Sequence, residues 1–389
     1  MSPTNSAAWL VARSARPLEV KPAPYAAPGP GQIVIRNAAV AVNPVDWGKQ
    51  VLGDLMQPYI RYPFVLGADV AGEVVEVGAG VTRFKPGDRV LGLALGAAPA
   101  VNSAAEGAFQ RYTVVRAHLA AAIPESVSYE QACVLPLTLS TAAYGLFHKD
   151  LLGLDPPTIP PRPSAAPAGD AAGGRAVIVT GGASSVGCSA IQLAVAAGYQ
   201  VYTTASPHNA AYLARLGAAR VFDYHSAAWP ADMAAELRDR PVAGALAIGN
   251  GSVEGCMEVL RLCGGGTNKF VAYAGFPLPD ALPTTALGKV ALVGSTAWWM
   301  GATAVRSAVR GVRSRFVDCK ELHEEDSVVS KLVFDDFLPR ALVEGQFVPA
   351  PEPLVVGEGL DKIQEAMDVQ QKGVSAKKVV VSLPLETHA

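Results

Sequence analysis

Hydrophobic residues follow two different spacings along the chain. Up to about residue 125, short runs rich in β-branched residues are separated by Gly, Pro and Asp, as in GQIVIRNAAVAVNP and DVAGEVVEVG. This pattern is typical of strands joined by turns. From about residue 128 the spacing becomes helical in the Ala-rich segment SYEQACVLPLTLSTAAYGLFHK. The pattern predicts a β-rich first region followed by a helix.

After that helix, strands and helices alternate. The run AVIVT predicts a buried strand, SSVGCSAIQLAVAAG a helix and YQVYTTA the next strand. Later strands are predicted at ARVFDY, VAGALAIG, NKFVAYAG and KVALVGS, the last over residues 289–295. Such alternation predicts a doubly wound parallel sheet and therefore an α/β fold.

Two segments flank this alternating region. Residues 152–174 are rich in Pro, Ala and Gly and predict a surface loop, because such a segment cannot continue a helix or a strand for long. The closing run SAKKVVVSLP predicts a strand that returns to the first region. We therefore expect a β-rich domain built from residues 1–127 and 301–389, with residues 128–300 forming the parallel-sheet domain.

Composition narrows the functional classes. The 389 residues include 32 Lys and Arg against 34 Asp and Glu, for a net charge of −2. That balance predicts neither a nucleic-acid nor an anionic-membrane partner. No apolar run approaches the ~18 residues of a membrane span, and the first residues lack a signal-peptide pattern. The five scattered cysteines contain no CxxC pair, so we expect buried thiols and a reducing, cytoplasmic location.

The segment VTGGASSVG (179–187) carries the clearest chemistry. Glycines allow a sharp turn and close approach of the backbone to a pyrophosphate, and the following helix offers free N–H groups to it. The spacing departs from G-x-G-x-x-G, so an ordinary strand–helix turn is the alternative. The strand–turn–helix–strand context favours a dinucleotide site. Its predicted contacts are Gly182, Ala183, Ser184, Ser185, Val186 and Gly187.

The dinucleotide predicted at this turn is NADPH. NAD sites place an acid roughly 20 residues after the glycines, on the ribose hydroxyl. No acid occurs between Gly181 and Phe222. The second strand is followed instead by a helix start suited to a phosphate, although simple helix caps are the alternative. The residues predicted to surround the phosphate and adenosine are Ser206, His208, Asn209 and Tyr224.

A metal is not expected in the first region. A catalytic zinc needs three protein ligands, and a structural zinc needs four that are usually cysteines. The first 125 residues contain no Cys and a single His, His118. The carboxylates of Asp46, Asp69 and Glu73 alone would make a poor zinc site.

Five segments in this order resemble the medium-chain dehydrogenase/reductase superfamily: NPVD (43–46), GADVAGEVVEVGAGVTRFKPGDRV (67–90), GAFQRYTVV (107–115), LPLTLSTAAYGLF (135–147) and VTGGASSVG (179–187). Zinc alcohol dehydrogenases of that superfamily carry Cys near the position of Asn43 and His at the position of Ala68. The structural-zinc cysteines are also absent, so the chain resembles the zinc-free quinone reductase and enoyl reductase branch. SPHN (206–209) and FDY (222–224) resemble fungal members, which include trans-acting enoyl reductases that serve polyketide synthases.

The resemblance implies a GroES-like catalytic domain and a Rossmann domain. It places the loop Asn43, Pro44, Val45 and Asp46 against the nicotinamide, with plain turn residues as the alternative. Thr138, Ser140 and Thr141 would bond cofactor or substrate, unless they only bond the preceding helical turn. Further cofactor contacts are predicted at the ends of later strands and near the C-terminus, at Ile248, Gly249, Ala272, Ala274, Gly275 and Lys377.

The implied activity is hydride transfer from NADPH to a C=C bond conjugated to a carbonyl, in an enoyl thioester or an enone. A quinone oxidoreductase and an NADPH-binding protein without turnover remain alternatives. Tyr59 is the candidate proton donor, with Tyr62 or water as alternatives, and Lys49 is the candidate contact to phosphate or substrate. Trp298 and Trp299 either line an apolar substrate cleft or are buried in the core or in a dimer interface. Expected partners are a small conjugated carbonyl, an acyl-carrier protein and a second copy paired through the strand at 290–295.

Overall fold

The structure is a computed structural model that describes residues 3–163, 174–277, 279, 282–283 and 285–385. Contacts divide the chain into two compact units. Unit 1 comprises Met1–Leu137 and Lys320–Ala389, and unit 2 comprises Thr138–Cys319. These divisions fall ten and nineteen residues after the predicted boundaries at 127 and 300. The second lies later because one helix continues past residue 300 to Arg310 and the strand Arg313–Phe316 pairs with Phe270–Tyr273 in unit 2.

Unit 1 is built mainly from strands. Its elements are β1 (Asn5–Leu10), β2 (Glu19–Ala23), β3 (Gln32–Ala41), α1 (Pro44–Leu52), β4 (Phe64–Val65), β5 (Asp69–Val77), β6 (Arg89–Leu93), β7 (Tyr112–Arg116), β8 (Ala120–Ala122), α2 (Tyr129–Ala132) and, after unit 2, α9 (Val328–Ser330), α10 (Leu338–Val343), β15 (Glu352–Glu358), α11 (Ile363–Gln371) and β16 (Lys377–Ser382).

The larger sheet of unit 1 runs in the order β15-β16-β3-β5-β6-β8, with β7 also paired to β3. The predicted returning strand is β16, and it pairs antiparallel with the end of β3 through Val380 and Ala41. Ala41 also pairs with Asp69 at the start of β5. This register brings the segments after β3, before β5 and within β16 to one point.

Unit 2 alternates strands and helices. Its elements are β9 (Ala176–Val179), α4 (Ser185–Ala196), β10 (Gln200–Ala205), α5 (Ala210–Arg215), β11 (Ala218–Asp223), α6 (Trp229–Glu236), β12 (Val242–Ala247), α7 (Ser252–Leu262), β13 (Phe270–Tyr273), α8 (Ala286–Arg310) and β14 (Arg313–Phe316). Helix α3 (Pro136–Phe147) begins in unit 1 and continues into unit 2.

The sheet of unit 2 is parallel throughout, in the order β11-β10-β9-β12-β13-β14. Every residue of β12 is buried, as expected for a strand inside a parallel sheet that helices cover on both faces. The α/β fold class and the doubly wound sheet predicted from the sequence are confirmed. Among the described residues, no helix combines the length and apolar character needed to cross a membrane.

The strand predicted at residues 289–295 is wrong. That segment lies inside α8, which is capped at Thr285 by a bond from Gly288 N and ends at Gly311 with φ of 62°. A short apolar run does not distinguish a strand from a helix by periodicity alone. The strand that follows β13 in the sheet is instead the polar β14. In the predicted loop 152–174, residues 152–163 and 174 have no helix or strand, and residues 164–173 lie outside the described residues.

Candidate functional site

The predicted dinucleotide-binding turn of unit 2 joins β9 to α4, and its tight backbone depends on glycines. Gly181 has a φ of 62°, in the left-handed region that favours glycine. A Cβ on Gly187 would lie 2.3 Å from the carbonyl oxygen of Gly181. The Ser184 hydroxyl caps α4 by accepting from Gly187 N at 3.1 Å. Ala183 to Val186 are partly exposed, so the N-terminus of α4 can offer N–H groups to an anion.

Threonine hydroxyls hold the carboxyl edge of this sheet, and sequence reasoning missed them. Thr180 Oγ1 accepts from Ile248 N at 2.8 Å and lies 3.2 Å from Ile248 O. Thr204 Oγ1 accepts from Gly181 N at 3.1 Å. These bonds link the ends of β9, β10 and β12. Threonine is common in strands, so nothing in the local sequence shows that these two hydroxyls bond neighbouring strands at the sheet edge.

The same edge leaves room for a ligand beside two predicted glycines. Gly249 has a φ of 102° and Gly275 a φ of 146°, and a Cβ on either would meet no atom within 4 Å. Ala274 is partly exposed. Ala272 is fully buried within β13, and its predicted cofactor contact stays a prediction. Glycines that open space at the carboxyl ends of parallel strands fit a bound dinucleotide.

The segment after β10 differs from the prediction in how its first turn is capped. Ser206 lies at the N-cap position of a single 3-10 turn, but its side chain makes no capping bond. The backbone satisfies this turn instead, because Asn209 N donates to Ser206 O at 2.9 Å. The Ser206 hydroxyl lies 3.4 Å from the hydroxyl of Tyr224, which is 52% exposed. His208 is also exposed, whereas Asn209 is buried.

A cluster of buried polar side chains lies in unit 1 where β3, β5 and β16 meet. Asp69 is fully buried, and Asn43, Asp46 and Lys378 are each at most 4% exposed. Lys378 Nζ lies 2.9 Å from Asp69 Oδ2 and also donates to Asn43 Oδ1. Asn43 Nδ2 donates to Asp69 Oδ2 at 2.8 Å, and Leu137 N donates to Asp69 Oδ1 at 2.6 Å. The ammonium therefore neutralises a carboxylate that has no access to water.

Asp46 completes this cluster by closing the NPVD loop. Its Oδ2 accepts from Asn43 N at 2.8 Å, and its Oδ1 accepts from Gly67 N at 3.2 Å. Pro44 occupies the first turn of α1, where its missing N–H costs nothing. Burial raises the pKa of Asp46 to about 7; the bond from Asn43 N opposes this shift, and the nearby Asp69 adds to it.

This raised pKa predicts a pH dependence of stability. The folded chain binds a proton on Asp46 between its ordinary pKa of 3.8 and about 7, and the unfolded chain does not. The contribution of Asp46 to the free energy of unfolding is therefore largest at low pH and is lost as pH rises toward 7. We expect the free energy of unfolding of wild type, relative to Asp46→Asn, to fall by ~3 kcal/mol between pH 4.5 and 7.5. Urea unfolding of both proteins checks this, and parallel pH profiles would contradict it.

Lys49, a predicted catalytic residue, is tied to the loop that follows α1. Its side chain is fully buried. Its Nζ donates to Gln57 O at 2.8 Å and Gly53 O at 3.3 Å, and it lies 3.4 Å from Asp54 Oδ1. Burial lowers the pKa of Lys49, and Asp54 opposes that shift. These contacts fix residues 53–57, and the predicted contact of Lys49 with phosphate or substrate stays a prediction.

The two candidate tyrosines make different hydrogen bonds. Tyr62 donates its hydroxyl to Asp54 Oδ1 at 2.8 Å and lies under the Lys49 ammonium, 5.1 Å from the ring centre. Tyr59 donates its hydroxyl to a backbone carbonyl, Ala97 O, at 2.8 Å. Burial raises the pKa of both hydroxyls. Tyr62 thus belongs to the charged loop network, whereas Tyr59 donates to a neutral group.

The remaining predicted residues are dispersed. Thr138 is buried, and Thr141 is partly exposed with its hydroxyl in hydrogen-bond contact with the thiol of Cys319. Lys377 forms an exposed ion pair with Glu352, and its predicted contact with cofactor phosphates stays a prediction. The neighbouring Lys378, which the sequence reasoning missed, is the buried lysine that pairs with Asp69.

Within the described ranges, no group of three or more His, Cys, Asp or Glu residues is arranged to hold a metal ion. The position that carries the first zinc ligand in the zinc enzymes holds the Asn43 amide, and Ala68 offers no donor. An ammonium already contacts the Asp69 carboxylate. This set of donors does not fit zinc.

Comparison with known proteins gives a consistent assignment. The Alcohol dehydrogenase GroES-like domain family matches residues 29–125. Dehydrogenase pigH of Monascus ruber is 50% identical over 381 residues, covering 98% of this chain and all of that protein. Trans-enoyl reductase himH of Aspergillus japonicus is 36% identical over 380 residues, covering 97% of each.

The fold is shared with solved structures. The crystal structure of the CurK enoyl reductase superposes with a TM-score of 0.71 and 20% identity, covering 98% of this chain and 99% of that one. The predicted family and fold are thereby confirmed, and the family implies a nicotinamide cofactor. The chain belongs to the medium-chain dehydrogenase/reductase superfamily, as an oxidoreductase that resembles its enoyl reductases.

Proposed function

We propose that the chain is an NADPH-dependent, zinc-independent reductase that transfers hydride to an activated C=C bond of an enoyl thioester or a conjugated enone. The observation that carries the proposal is the buried Lys378 ammonium between Asn43 and Asp69. The Lys378 side chain thus contacts Asn43, which stands where the zinc relatives carry a metal ligand. The activity proposed is therefore one that needs no Lewis-acid metal.

The site of unit 1 supports this activity through a fixed loop. Asn43 and Asp46 are held by the Lys378–Asp69 pair and by bonds within the NPVD segment. Buried polar groups that are fully bonded keep one conformation and cost no reorganisation during a reaction. We propose that this loop forms the nicotinamide wall, with Pro44 and Val45 as its contact surface.

The residues of unit 2 support NADPH as the cofactor. NADPH, when bound, supplies the hydride. The glycine turn and the N-terminus of α4 would hold the pyrophosphate, and Gly249 and Gly275 leave open space at the sheet edge. The second strand is followed by the Ser206 hydroxyl beside Tyr224, where an NAD site carries an acid. Asp223 ends the third strand, and its carboxylate bonds His225 at 2.7 Å.

Tyr59 is the proposed proton donor. A donor must give its proton to the carbon next to the one that receives hydride, and therefore must leave its resting partner. The resting partners of the Tyr59 hydroxyl are two neutral groups, the backbone carbonyl of Ala97 and the side chain of Gln57. The Tyr62 hydroxyl would leave a carboxylate, Asp54, which also lies against Lys49. The hydrogen bonding of Tyr59 to neutral groups is weaker than the hydrogen bond of Tyr62 to a carboxylate, which favours Tyr59 as the proton donor.

The similarity to a trans-enoyl reductase supports a role in secondary metabolism, including polyketide assembly, with a substrate carried by an acyl-carrier partner. A cytoplasmic location is also proposed. The five cysteines are free, and four of them are buried, which suits a reducing compartment.

NADPH oxidation against a substrate panel tests the function. The panel contains an enoyl thioester, an enone, an ortho-quinone and an aldehyde, each with NADPH and with NADH. We expect turnover of the thioester or the enone, with NADPH preferred. Tyr59→Phe should lower kcat by ~100-fold or more, as expected for loss of a general acid. Tyr62→Phe is the matched control and should keep most of the activity.

The other outcomes separate the alternatives. Turnover of the quinone alone would replace the proposal with a quinone oxidoreductase. Tight NADPH binding without turnover, including with a substrate loaded on a carrier domain, would indicate a non-catalytic protein. Stoichiometric zinc in the purified active protein would overturn the zinc-independent mechanism.

A further inference from the structure

Two segments of unit 1 meet at the carbonyl oxygen of Ala97, which lies in the loop after β6. The Tyr59 hydroxyl donates to this oxygen at 2.8 Å, and Gln57 Nε2 donates to the same oxygen at 3.2 Å. From the same loop, Asn102 Nδ2 donates to the backbone oxygen of Tyr59 at 3.1 Å. The proposed proton donor is therefore held at its backbone and at its hydroxyl, with the Gln57 amide beside it.

The Gln57 amide also contacts the Tyr59 hydroxyl directly. An amide nitrogen carries two hydrogens, so Gln57 can donate to Ala97 O and to the phenolic oxygen at once. Burial raises the pKa of Tyr59, and the hydrogen bond from Gln57 opposes that shift. A bond that lowers the pKa of a hydroxyl stabilises its ionised form more than its neutral form. Gln57 is therefore placed to stabilise the phenolate that a proton donor leaves behind.

The other end of the same amide has no hydrogen-bond partner. Gln57 Oε1 is buried, and no group within the described part of the chain bonds it. A buried acceptor without a partner lowers stability, and an apolar side chain of the same length would avoid that loss. Rotating the amide would bring Oε1 against Ala97 O, which is itself an acceptor. The amide is therefore held with its N–H groups toward Tyr59, with a loss of stability that a purely structural residue need not carry.

The buried lysine Lys49 fixes the backbone of Gln57. Lys49 Nζ donates to Gln57 O at 2.8 Å, and Ile60 N donates to the same oxygen at 3.4 Å. The backbone from which the amide extends is thus tied to helix α1. These bonds place the side chain of Gln57 relative to Tyr59 without requiring any contact between Lys49 and a substrate.

No charged side chain assists Tyr59 within the described residues. Burial and Gln57 are the influences on the pKa of Tyr59. On its own segment, Lys49 and Asp54 lie 3.4 Å apart, Tyr62 donates to Asp54, and Arg61 is exposed. The loop at 94–103 contains no charged residue. Stabilisation of a Tyr59 anion therefore depends on a neutral donor.

We propose that Gln57 is a positioning residue for proton transfer, which donates an N–H to the phenolic oxygen of Tyr59 while that oxygen gives up its proton. In the step, the O–H bond of Tyr59 breaks, and the electron pair of the enolate forms a C–H bond at the carbon next to the one that received hydride. Tyr59 keeps the electron pair of its O–H bond until it takes a proton from water. Ala97 O presents lone pairs to this anion, whereas the Gln57 N–H bonds it. This role rests on the proposed function, with Tyr59 as the donor.

The pKa of Tyr59 tests this role without turnover. Gln57→Met removes the amide and keeps the length of the side chain. The variant should fold, because Ala97 O keeps its bond from Tyr59 and the unbonded oxygen is gone. NMR of tyrosine labelled at Cζ follows the ionisation of Tyr59, whose signal is the one missing in Tyr59→Phe. Gln57→Met should raise the pKa of Tyr59, with a ~10-fold smaller acid dissociation constant.

Asn102→Gly is the matched control. It removes the other amide that bonds Tyr59, and glycine suits the φ of 45° at this position. Because that amide bonds the backbone and not the hydroxyl, the pKa of Tyr59 should stay at its wild-type value. The two variants thus separate a bond to the reacting oxygen from a bond that only holds the loop.

Kinetics test the same role during turnover. With the enoyl thioester or enone that wild type reduces, Gln57→Met should lower kcat ~10-fold. It should also move the fall of kcat at alkaline pH to higher pH, because Tyr59 keeps its proton to a higher pH. In a Tyr59→Phe background, Gln57→Met should cause no further loss, because it acts through the hydroxyl. Asn102→Gly should keep the wild-type pH profile.

The outcomes distinguish this role from the proposed function. An unchanged pKa of Tyr59 in Gln57→Met, or a loss of kcat that persists in the Tyr59→Phe background, would overturn the role of Gln57. Turnover retained by Tyr59→Phe would overturn Tyr59 as the donor, and this step with it, even where Gln57→Met raises the pKa. A raised pKa together with a loss of kcat confined to chains that carry Tyr59 is the expected result.

Discussion

Replacing Lys378 by Met should lower the free energy of unfolding of the chain by ~3–5 kcal/mol, as found when one partner of a buried ion pair is removed. Lys378 is 4% exposed, and its partner Asp69 is fully buried. Without the ammonium, the Asp69 carboxylate keeps the neutral donors of Asn43 and Leu137. It would have to remain charged without a cation or bind a proton. Urea unfolding at pH 7, followed by circular dichroism, measures the loss.

The adjacent lysine supplies the control for this prediction. Lys377 lies one residue earlier on β16 and pairs with Glu352, whose side chain is 72% exposed. Lys377→Met should therefore cost less than ~1 kcal/mol. In an Asp69→Asn background, Lys378→Met should lower the free energy of unfolding by ~2 kcal/mol less than in wild type, because no unpaired carboxylate remains at residue 69. Equal losses for the two lysine variants would contradict the prediction.

The Lys378 ammonium places a positive charge beside Asn43 and Asp69, in the region where the chain lacks zinc ligands. Asp69 is fully buried, so its carboxylate needs a partner of opposite charge. In this chain the C-terminal strand returns a lysine to that point, and Asn43 bonds both members of the pair. The NPVD loop thus keeps a rigid, neutralised support, as its proposed role against the nicotinamide requires.

The sequence predicted what depends on local pattern. The glycine turn at 179–187 followed from a buried strand that precedes glycines and a helical repeat, and the structure places a strand, a tight turn and a capped helix there. The strand prediction for residues 289–295 failed because the apolar residues of this segment suit both a strand and a solvent-facing helix. Nothing local indicates that a helix will leave its apolar side exposed, since that depends on what surrounds it.

The site in unit 1 depends on pairing between distant segments. In KKVVVS the run from Lys378 to Ser382 is buried on both faces, so alternation along the strand does not identify which lysine points inward. The choice follows from the register of β16 on β3 and of β3 on β5. Asp69 and Lys378 are 309 residues apart, and only this register brings them together.

Replacing Gly187 by Ala should weaken NADPH binding by ~100-fold or more, which is ~2.7 kcal/mol. The new Cβ would lie 2.3 Å from Gly181 O and 2.7 Å from Gly182 Cα. Backbone atoms cannot give way as a flexible side chain can, so the turn must open. Opening would separate the Ser184 cap from Gly187 N, bonded at 3.1 Å, and would displace the N–H groups proposed to hold the pyrophosphate. Titration calorimetry with NADPH measures the loss.

Stability must be separated from binding in this variant. Overpacking alone costs ~1–3 kcal/mol, so the melting temperature of Gly187→Ala should fall modestly without NADPH. The rise in melting temperature that a bound ligand produces should also disappear. Gly265→Ala is the matched control in unit 2, because a Cβ there meets no atom within 4 Å and its φ is not in the left-handed region. That variant should bind NADPH as wild type does. Wild-type affinity in Gly187→Ala would show that the turn does not hold the cofactor.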